Sequence, residues 1–224
     1  MKKIIILFCS LIVAFGSVFA NDYVDIKIAE DDNIDYHNHD DSYESWYDTK
    51  NNNPVVVIWD LTDIQATKSE YSKLGRTSKF VQCHNTPTEA AYKKSGYDKG
   101  HMCPNNDRDW DKVEQLNTFR CCNICPQTHK LNAGSWKKYE TYGHDLAKEA
   151  SLVTIIAGPI YSRNVAATYL SSGKSKIRVP EKFFKIFIIN GEFYEAFVFA
   201  QDGNFEQVEV QDIEKLTNIE FILK

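Results

Sequence analysis

Beyond its first twenty residues, the sequence has no stretch apolar enough to cross a bilayer. The one long apolar run, Ile4 to Phe15, follows Lys2 and Lys3 and leads into Val18-Phe19-Ala20, the spacing a signal peptidase reads. It is too short and wrongly flanked for a membrane span, so residues 1–20 are expected to be a cleaved export signal. Cys9 within it is not preceded by the small residue a lipid-attachment site needs, which argues against an anchor. The chain is therefore expected to be secreted or periplasmic, with no membrane partner. Internal repeats and linker-like stretches are also lacking, which excludes a repeat array and leaves a length suited to one domain.

Bases are nearly absent from the start of the exported part. Residues 21–48 carry ten acids, Asp22, Asp25, Glu30, Asp31, Asp32, Asp35, Asp40, Asp41, Glu44 and Asp48, against Lys27 alone. The formal net charge of -5 thus misdescribes the body, which from Thr49 onward is slightly basic. Runs of this kind are usually solvated. Residues 21–53 are accordingly expected to be a flexible acidic leader, and residues 54–224 the folded domain.

A second CxxC is missing too. Cys122-x-x-Cys125 with Cys103 could hold zinc, but structural zinc sites ordinarily supply two such pairs. Export leaves Cys83, Cys103, Cys121, Cys122 and Cys125. In an oxidising compartment these favour one or two disulfides with at least one thiol left over. Adjacent Cys121 and Cys122 should point to opposite sides and take different partners.

What is present reads as a mixed α+β domain with a largely antiparallel sheet. Behind the breaker Asn51-Asn52-Asn53-Pro54, "VVVIWDL" is a buried strand, and "SLVTIIAGPIY" (151–161) is another. Residues 182–200 form a hairpin about Asn190-Gly191, the strongest two-residue turn signal. A short strand is expected over Lys99–Met102 and a short helix over Asp111–Phe119. A longer helix is expected over 132–150 with Asn132 as its N-cap, and a short one over 212–222.

Three features with chemical meaning converge between residues 98 and 140. His101 is a base titrating near neutrality, and Gly100 precedes it where a backbone must come close to something. Asn132, Trp136 and Glu140 are spaced i, i+4, i+8, so an amide oxygen and a carboxylate share one helix face. Those hard oxygens suit Mg²⁺, with Mn²⁺ as the alternative. Read blandly, the same helix buries Trp136 and pairs Glu140 with Lys137 or His144. Lys73, Arg76, Lys79, Lys99, Arg108 and Arg120 supply the positive charge that a phosphodiester requires.

In "SGYDKGHMCPNNDRDW…TFRCCNICPQTHKLNAGSWKKYE" the sequence resembles the DNA/RNA non-specific endonucleases, the ββα-metal nucleases. Tyr97-Asp98-Lys99-Gly100-His101, Pro104, Thr118-Phe119, Asn123, Pro126-Gln127, Asn132, Trp136 and Glu140 follow that family's pattern in order. Arg76 to Phe80, "AGPIY" and "VPEKFFKI" extend the likeness from about residue 54 to the end. The resemblance implies a ββα-metal motif and a magnesium-dependent, sugar-non-specific endonuclease with DNA and RNA as substrates and 5′-phosphate products. It implies His101 as general base, Asn132 as the direct metal ligand and Glu140 as support for the metal's water shell. Arg76, Lys99 and Asn123 would serve the substrate, with Asp98 and Asn123 orienting the site. Two positions depart from the pattern: Lys99 and His144 stand where the family usually has arginine. A protein inhibitor is compatible with this reading, and the oligomeric state is not encoded legibly. The rival readings are a catalytically weakened nucleic-acid-binding protein of the same fold and a cysteine-based zinc module.

Overall fold

The computed structural model describes residues 23–29, 32–68, 79–170 and 176–224. The acidic segment does not stand apart as a leader. It supplies β1 (Val24–Ile28), β2 (Ile34–Asn38) and β3 (Glu44–Asp48), and β3 pairs with β4 (Asn53–Thr62). The reason is visible in β1, where Asp25 and Lys27 alternate with Val24, Ile26 and Ile28, so the strand faces water on one side and protein on the other. Val24, Tyr43 and Tyr47 end up fully buried. The folded unit therefore begins about thirty residues earlier than expected.

After β4 come a short helix α1 (Asp63–Thr67), capped by Thr62, and β5 (Asp98–His101). Then follow α2 (Lys112–Asn117), capped by Asp111, and β6 (Ile124–Gln127). A helical segment starts with α3 (His129–Leu131), continues as a π-turn (Asn132–Trp136) and ends as α4 (Lys137–Glu149). β7 (Leu152–Ile160), β8 (Thr168–Leu170), β9 (Ile177–Val179), β10 (Lys182–Ile189), β11 (Glu192–Ala200) and β12 (Phe205–Val208) precede α5 (Val210–Thr217) and β13 (Ile219–Leu223). The fold is α+β, as expected.

Seven strands form the main sheet in the order β12-β11-β10-β7-β4-β3-β2, with every pairing antiparallel. Its middle strands are covered on both faces. Val57, Trp59, Val153, Ile155, Phe183 and Phe187 face α4, whereas Val56, Ile58, Ile156, Phe184 and Ile186 face α5 and the β1–β13 pair. This explains why their sequences are continuously apolar rather than alternating. Asn190 (φ 51°) and Gly191 (φ 85°) turn the β10–β11 hairpin with both residues left-handed, the geometry that matches strand twist.

Two expected helices are corrected. The long one does not begin at Asn132: Thr128 caps it, its hydroxyl accepting from the Leu131 amide, and Asn132 has helical dihedrals within the segment. The C-terminal one stops at Thr217, where Asn218 turns left-handed (φ 59°) and Ile219–Leu223 leaves as a strand paired with β1. There the alternation Ile219, Phe221, Leu223 has period 2 and outweighs the helical reading.

Candidate active site

The site is built on the β5–β6 pair and the helical segment that follows it, a ββα arrangement. Asp98 pairs with Gln127, Gly100 with Cys125 and His101 with Ile124. The glycine before His101 is explained by its neighbour. A Cβ at position 100 would lie 2.1 Å from Oε1 of the buried Gln127, so no other residue fits without displacing it.

His101 lies at the end of β5 with its ring between those of Phe80 and Phe119, each 5.1 Å away centroid to centroid. Its carbonyl accepts a hydrogen bond from Trp136 Nε1 (2.9 Å), which pins the helical segment to the strand. Asn123 fixes what comes next. Its Oδ1 accepts from the Cys103 amide (2.9 Å), and its Nδ2 donates to the carbonyls of Cys103 (2.9 Å) and Thr118 (3.0 Å). Asn123 is completely buried, so it orients the loop after His101 and is not a substrate contact. That corrects its assignment to substrate binding.

Asn132 stands on the π-turn across from β5, and its Nδ2 donates to Asp98 Oδ2 (3.0 Å). A carboxylate only accepts, so the amide must present its N–H side there, leaving the Oδ1 carbonyl for another partner. The Asp98 carboxylate also meets His129 Nδ1 (2.9 Å). Asp98 is thus the orienting residue expected of it. The π-turn, with Gly134 at φ -101° and ψ -113°, is a departure from regular helix that no periodicity announces.

Asn132, Glu140, His101, Asp98 and Lys99 line one open cleft of ≈ 940 Å³, together with Phe80, Glu89, His129 and Lys137. Trp136 does not join them. It is fully buried against Phe183 and Phe199, as the bland reading of the helix held, while its neighbours a turn away reach the cleft. Lys99 donates to Glu89 Oε2 (2.6 Å) with its ammonium 4.5 Å from the Phe80 ring centre. That hydrogen bond is the main reason the Glu89 carboxyl is held below its usual range. Arg76, the expected phosphate clamp, and Lys73 lie outside the described residues. Glu89 and His129 were not foreseen. Glu89 has no motif around it, and His129 carries only the hint of standing three residues before Asn132.

Beneath the cleft lies a buried polar layer. Asp107 accepts from Trp59 Nε1 (2.9 Å) and faces His144 Nδ1 (3.4 Å). The Asp107 hydrogen bond, opposed by burial, raises the His144 pKa. Lys185 of β10 is fully buried with Nζ 3.9 Å from the Trp136 ring centre and 5.4 Å from that of Trp59. Burial pulls its pKa down, against the attraction of Glu140 and Asp107.

The cysteines divide as expected. Cys122 forms a disulfide with Cys83, whereas its neighbour Cys121 packs into a separate apolar cluster with Ile124 and Tyr92. Cys103, Cys121 and Cys125 are buried thiols. Burial pushes the Cys121 pKa up to about 11 and that of Cys103 higher still, so neither is a ready thiolate. Cys122 is bonded to Cys83, and its donor neighbours are His37, His39 and Cys83 rather than Cys103 and Cys125.

Among known proteins, the DNA/RNA non-specific endonuclease family matches residues 24–223. The chain belongs to that family. Human mitochondrial endonuclease G is 29% identical over 120 residues, 51% of this chain and 40% of that protein. The mitochondrial nuclease EXOG of Xenopus laevis is 27% identical over 187 residues, 73% of this chain and 52% of the other. A nuclease of Nostoc is 32% identical over 102 residues, 46% of this chain and 35% of its own. The chain thus spans about half or less of these relatives. A chain from the crystal structure of the EndoG/EndoGI complex superposes with a TM-score of 0.70 at 22% identity, covering 86% of each, and shares the fold. As a member of the DNA/RNA non-specific endonuclease family with β1–β3 inside the matched span, the protein has its N-terminal strands as part of the family unit.

Proposed function

We propose that this protein is an exported, magnesium-dependent endonuclease that hydrolyses the phosphodiester bonds of DNA and RNA alike and leaves 5′-phosphates. The observation that carries the reading is the meeting of His101, Asn132 and Glu140 in one cleft, a base and two hard-oxygen donors drawn from separate elements. Export rests on residues 1–20.

The donor set fits a hard divalent cation. The Asn132 amide is oriented by Asp98 with its carbonyl oxygen available, and Glu140 adds a carboxylate on the same cleft wall. Such an ion takes few protein ligands and keeps several waters. When bound, it supplies charge for the transferring phosphate and the departing 3′ oxygen. His101 takes the proton of the attacking water, its ring held by Phe80 and Phe119 and its backbone by Trp136. Lys99 offers the phosphate a positive charge now paired with Glu89, and Arg76 is assigned the same role from the sequence. Groups that read only phosphate geometry carry no base information, which accounts for indifference to sequence. A protein inhibitor would act by covering this cleft.

The test is incubation of the purified chain with plasmid and with RNA, in Mg²⁺ and in EDTA, for wild type and Asn132→Ala. Cleavage of both substrates, lost in EDTA and weakened in the variant with a raised Mg²⁺ requirement, is expected. Binding without cleavage in Mg²⁺ or Mn²⁺ would overturn the reading in favour of a nucleic-acid-binding protein of the same fold.

A further inference from the structure

Among the described residues, one group of metal-ligating side chains brings its donor atoms together, and it is not in the cleft. His37, His39, Cys83 and Cys122 place four ligand atoms within 4.8 Å of one another. His39 Nε2 lies 2.9 Å from Cys122 Sγ and 3.9 Å from Cys83 Sγ. The His37 and His39 rings are nearly coplanar in direction (3°), with centroids 6.3 Å apart. Two residues apart on an extended segment, they project to the same side. His37 Nε2 is buried and has no hydrogen-bond partner among the described residues. A buried imidazole nitrogen without a partner is costly unless something other than water completes it.

We propose that His37, His39, Cys83 and Cys122 form a four-ligand zinc site in the dithiol form of the protein, the same two sulfurs closing as a disulfide when oxidised. Two thiolates and two imidazoles are the donor set of structural zinc, and their softness selects zinc over the hard cation assigned to the cleft. With Zn–S about 2.3 Å and Zn–N about 2.0 Å, tetrahedral ligand atoms stand roughly 3.3–3.8 Å apart. The donor atoms of the observed cluster all lie within 4.8 Å of one another, and opening the cystine frees the two sulfurs to part to that spacing. Tyr47 packs edge-on to His37 and Tyr43 lies against His39, a shell that limits water.

The exchange balances. A thiol reductant opens the cystine, two RSH becoming RSSR as Cys83 and Cys122 become thiols. Zinc then binds both sulfurs as thiolates and releases two protons. Either form ties the Cys83 loop to the turn Cys121–Asn123, and the zinc form adds β2 as a third attachment. Phe80 and Asn123, which hold His101 and the loop after it, lie three residues and one residue from the clamp.

The test uses the exported chain, reduced by a phosphine without air, freed of reductant and titrated with Co²⁺ and then Zn²⁺. Excess Mg²⁺ keeps the probe out of the cleft. One equivalent of Co²⁺ should bind with thiolate-to-metal charge-transfer and tetrahedral ligand-field absorption, and Zn²⁺ should displace it. Oxidised protein should show neither band. His37→Ala and His39→Ala should weaken binding by at least about ten-fold, since each removes a ligand, and Cys83→Ser should abolish the two-thiolate signature. The histidine variants keep the cystine and can be folded oxidised before reduction, so the test survives if Cys83→Ser does not fold. No charge-transfer band in reduced wild type, unchanged affinity in the histidine variants, or a two-thiolate band persisting in Cys83→Ser would overturn the proposal. The readout involves no nucleic acid, so it stands or falls apart from nuclease activity.

Discussion

At the level of single residues, the catalytic assignment makes His101 dispensable for the fold and indispensable for turnover. Its ring touches Phe80 and Phe119, but the helix–strand connection runs through its backbone carbonyl, which alanine retains. His101→Ala is expected to lose ~10²–10⁴-fold in rate, the range of general-base catalysis. Its melting temperature and DNA affinity should stay near wild type. Near-normal cleavage by a folded variant would remove His101 from the chemistry. Lys99 is a subtler case, because its ammonium is already paired with Glu89. If substrate phosphate draws it away, Lys99→Ala should flatten the salt dependence of activity by roughly one unit of log–log slope. Lys99→Arg should restore it, since a guanidinium forks onto phosphate. Superimposable curves for all three proteins would mean that the lysine serves Glu89 alone.

Among the elements, α4 is where a substitution is best read through pH. His144 faces Asp107, whose other oxygen accepts from Trp59, so the pair joins α4 to β4. Its folded pKa is raised above the ordinary value of about 6.5. The stabilisation is then full below that value and is lost as pH rises through the folded value. Thermal melts of wild type and His144→Gln should differ most in mildly acid buffer and converge in alkaline buffer. A gap that is the same throughout would assign His144 a packing role only. Legibility also differs by element. β4 and β7 were readable because strands buried on both faces are mostly apolar and β-branched, and the β10–β11 hairpin because Asn190-Gly191 marks its turn. The helix carrying Asn132 was readable in its amphipathic part, but its start was misplaced because the π-turn breaks the period on which such reading depends. Asn123 was legible as part of the site but not in its role, since its bonds go to backbone groups that sequence cannot locate.

For the molecule as a whole, the segment misread from sequence is the one that carries most acid. Counting charge over residues 21–48 hid the alternation of Val24, Ile26 and Ile28, which was there to be seen. The consequence is testable by truncation. A chain starting at residue 53 would strip β3 from β4 and uncover the surface against which Tyr43 and Tyr47 are buried. Burying large side chains contributes about 1.5–3 kcal/mol each, against a total stability of about 5–15 kcal/mol. The truncated protein should therefore be insoluble or melt far below the full chain. An unchanged melting temperature would restore the leader interpretation.

The β1–β13 pair has a bearing on timing. Val24 sits opposite Leu223 and Ile28 opposite Ile219, so nearly two hundred residues separate partners that lie one strand apart. A ribosome delivers the first of these strands long before the second exists. Until residue 223 has been made, β1 has nothing to pair with, and the face of the sheet formed by Ile156, Phe184 and Ile186 lacks part of its cover. Contacts so distant along the chain form late and slow the final step of folding. The meeting of β1 with β13 thus decides when the protein stops exposing this apolar side.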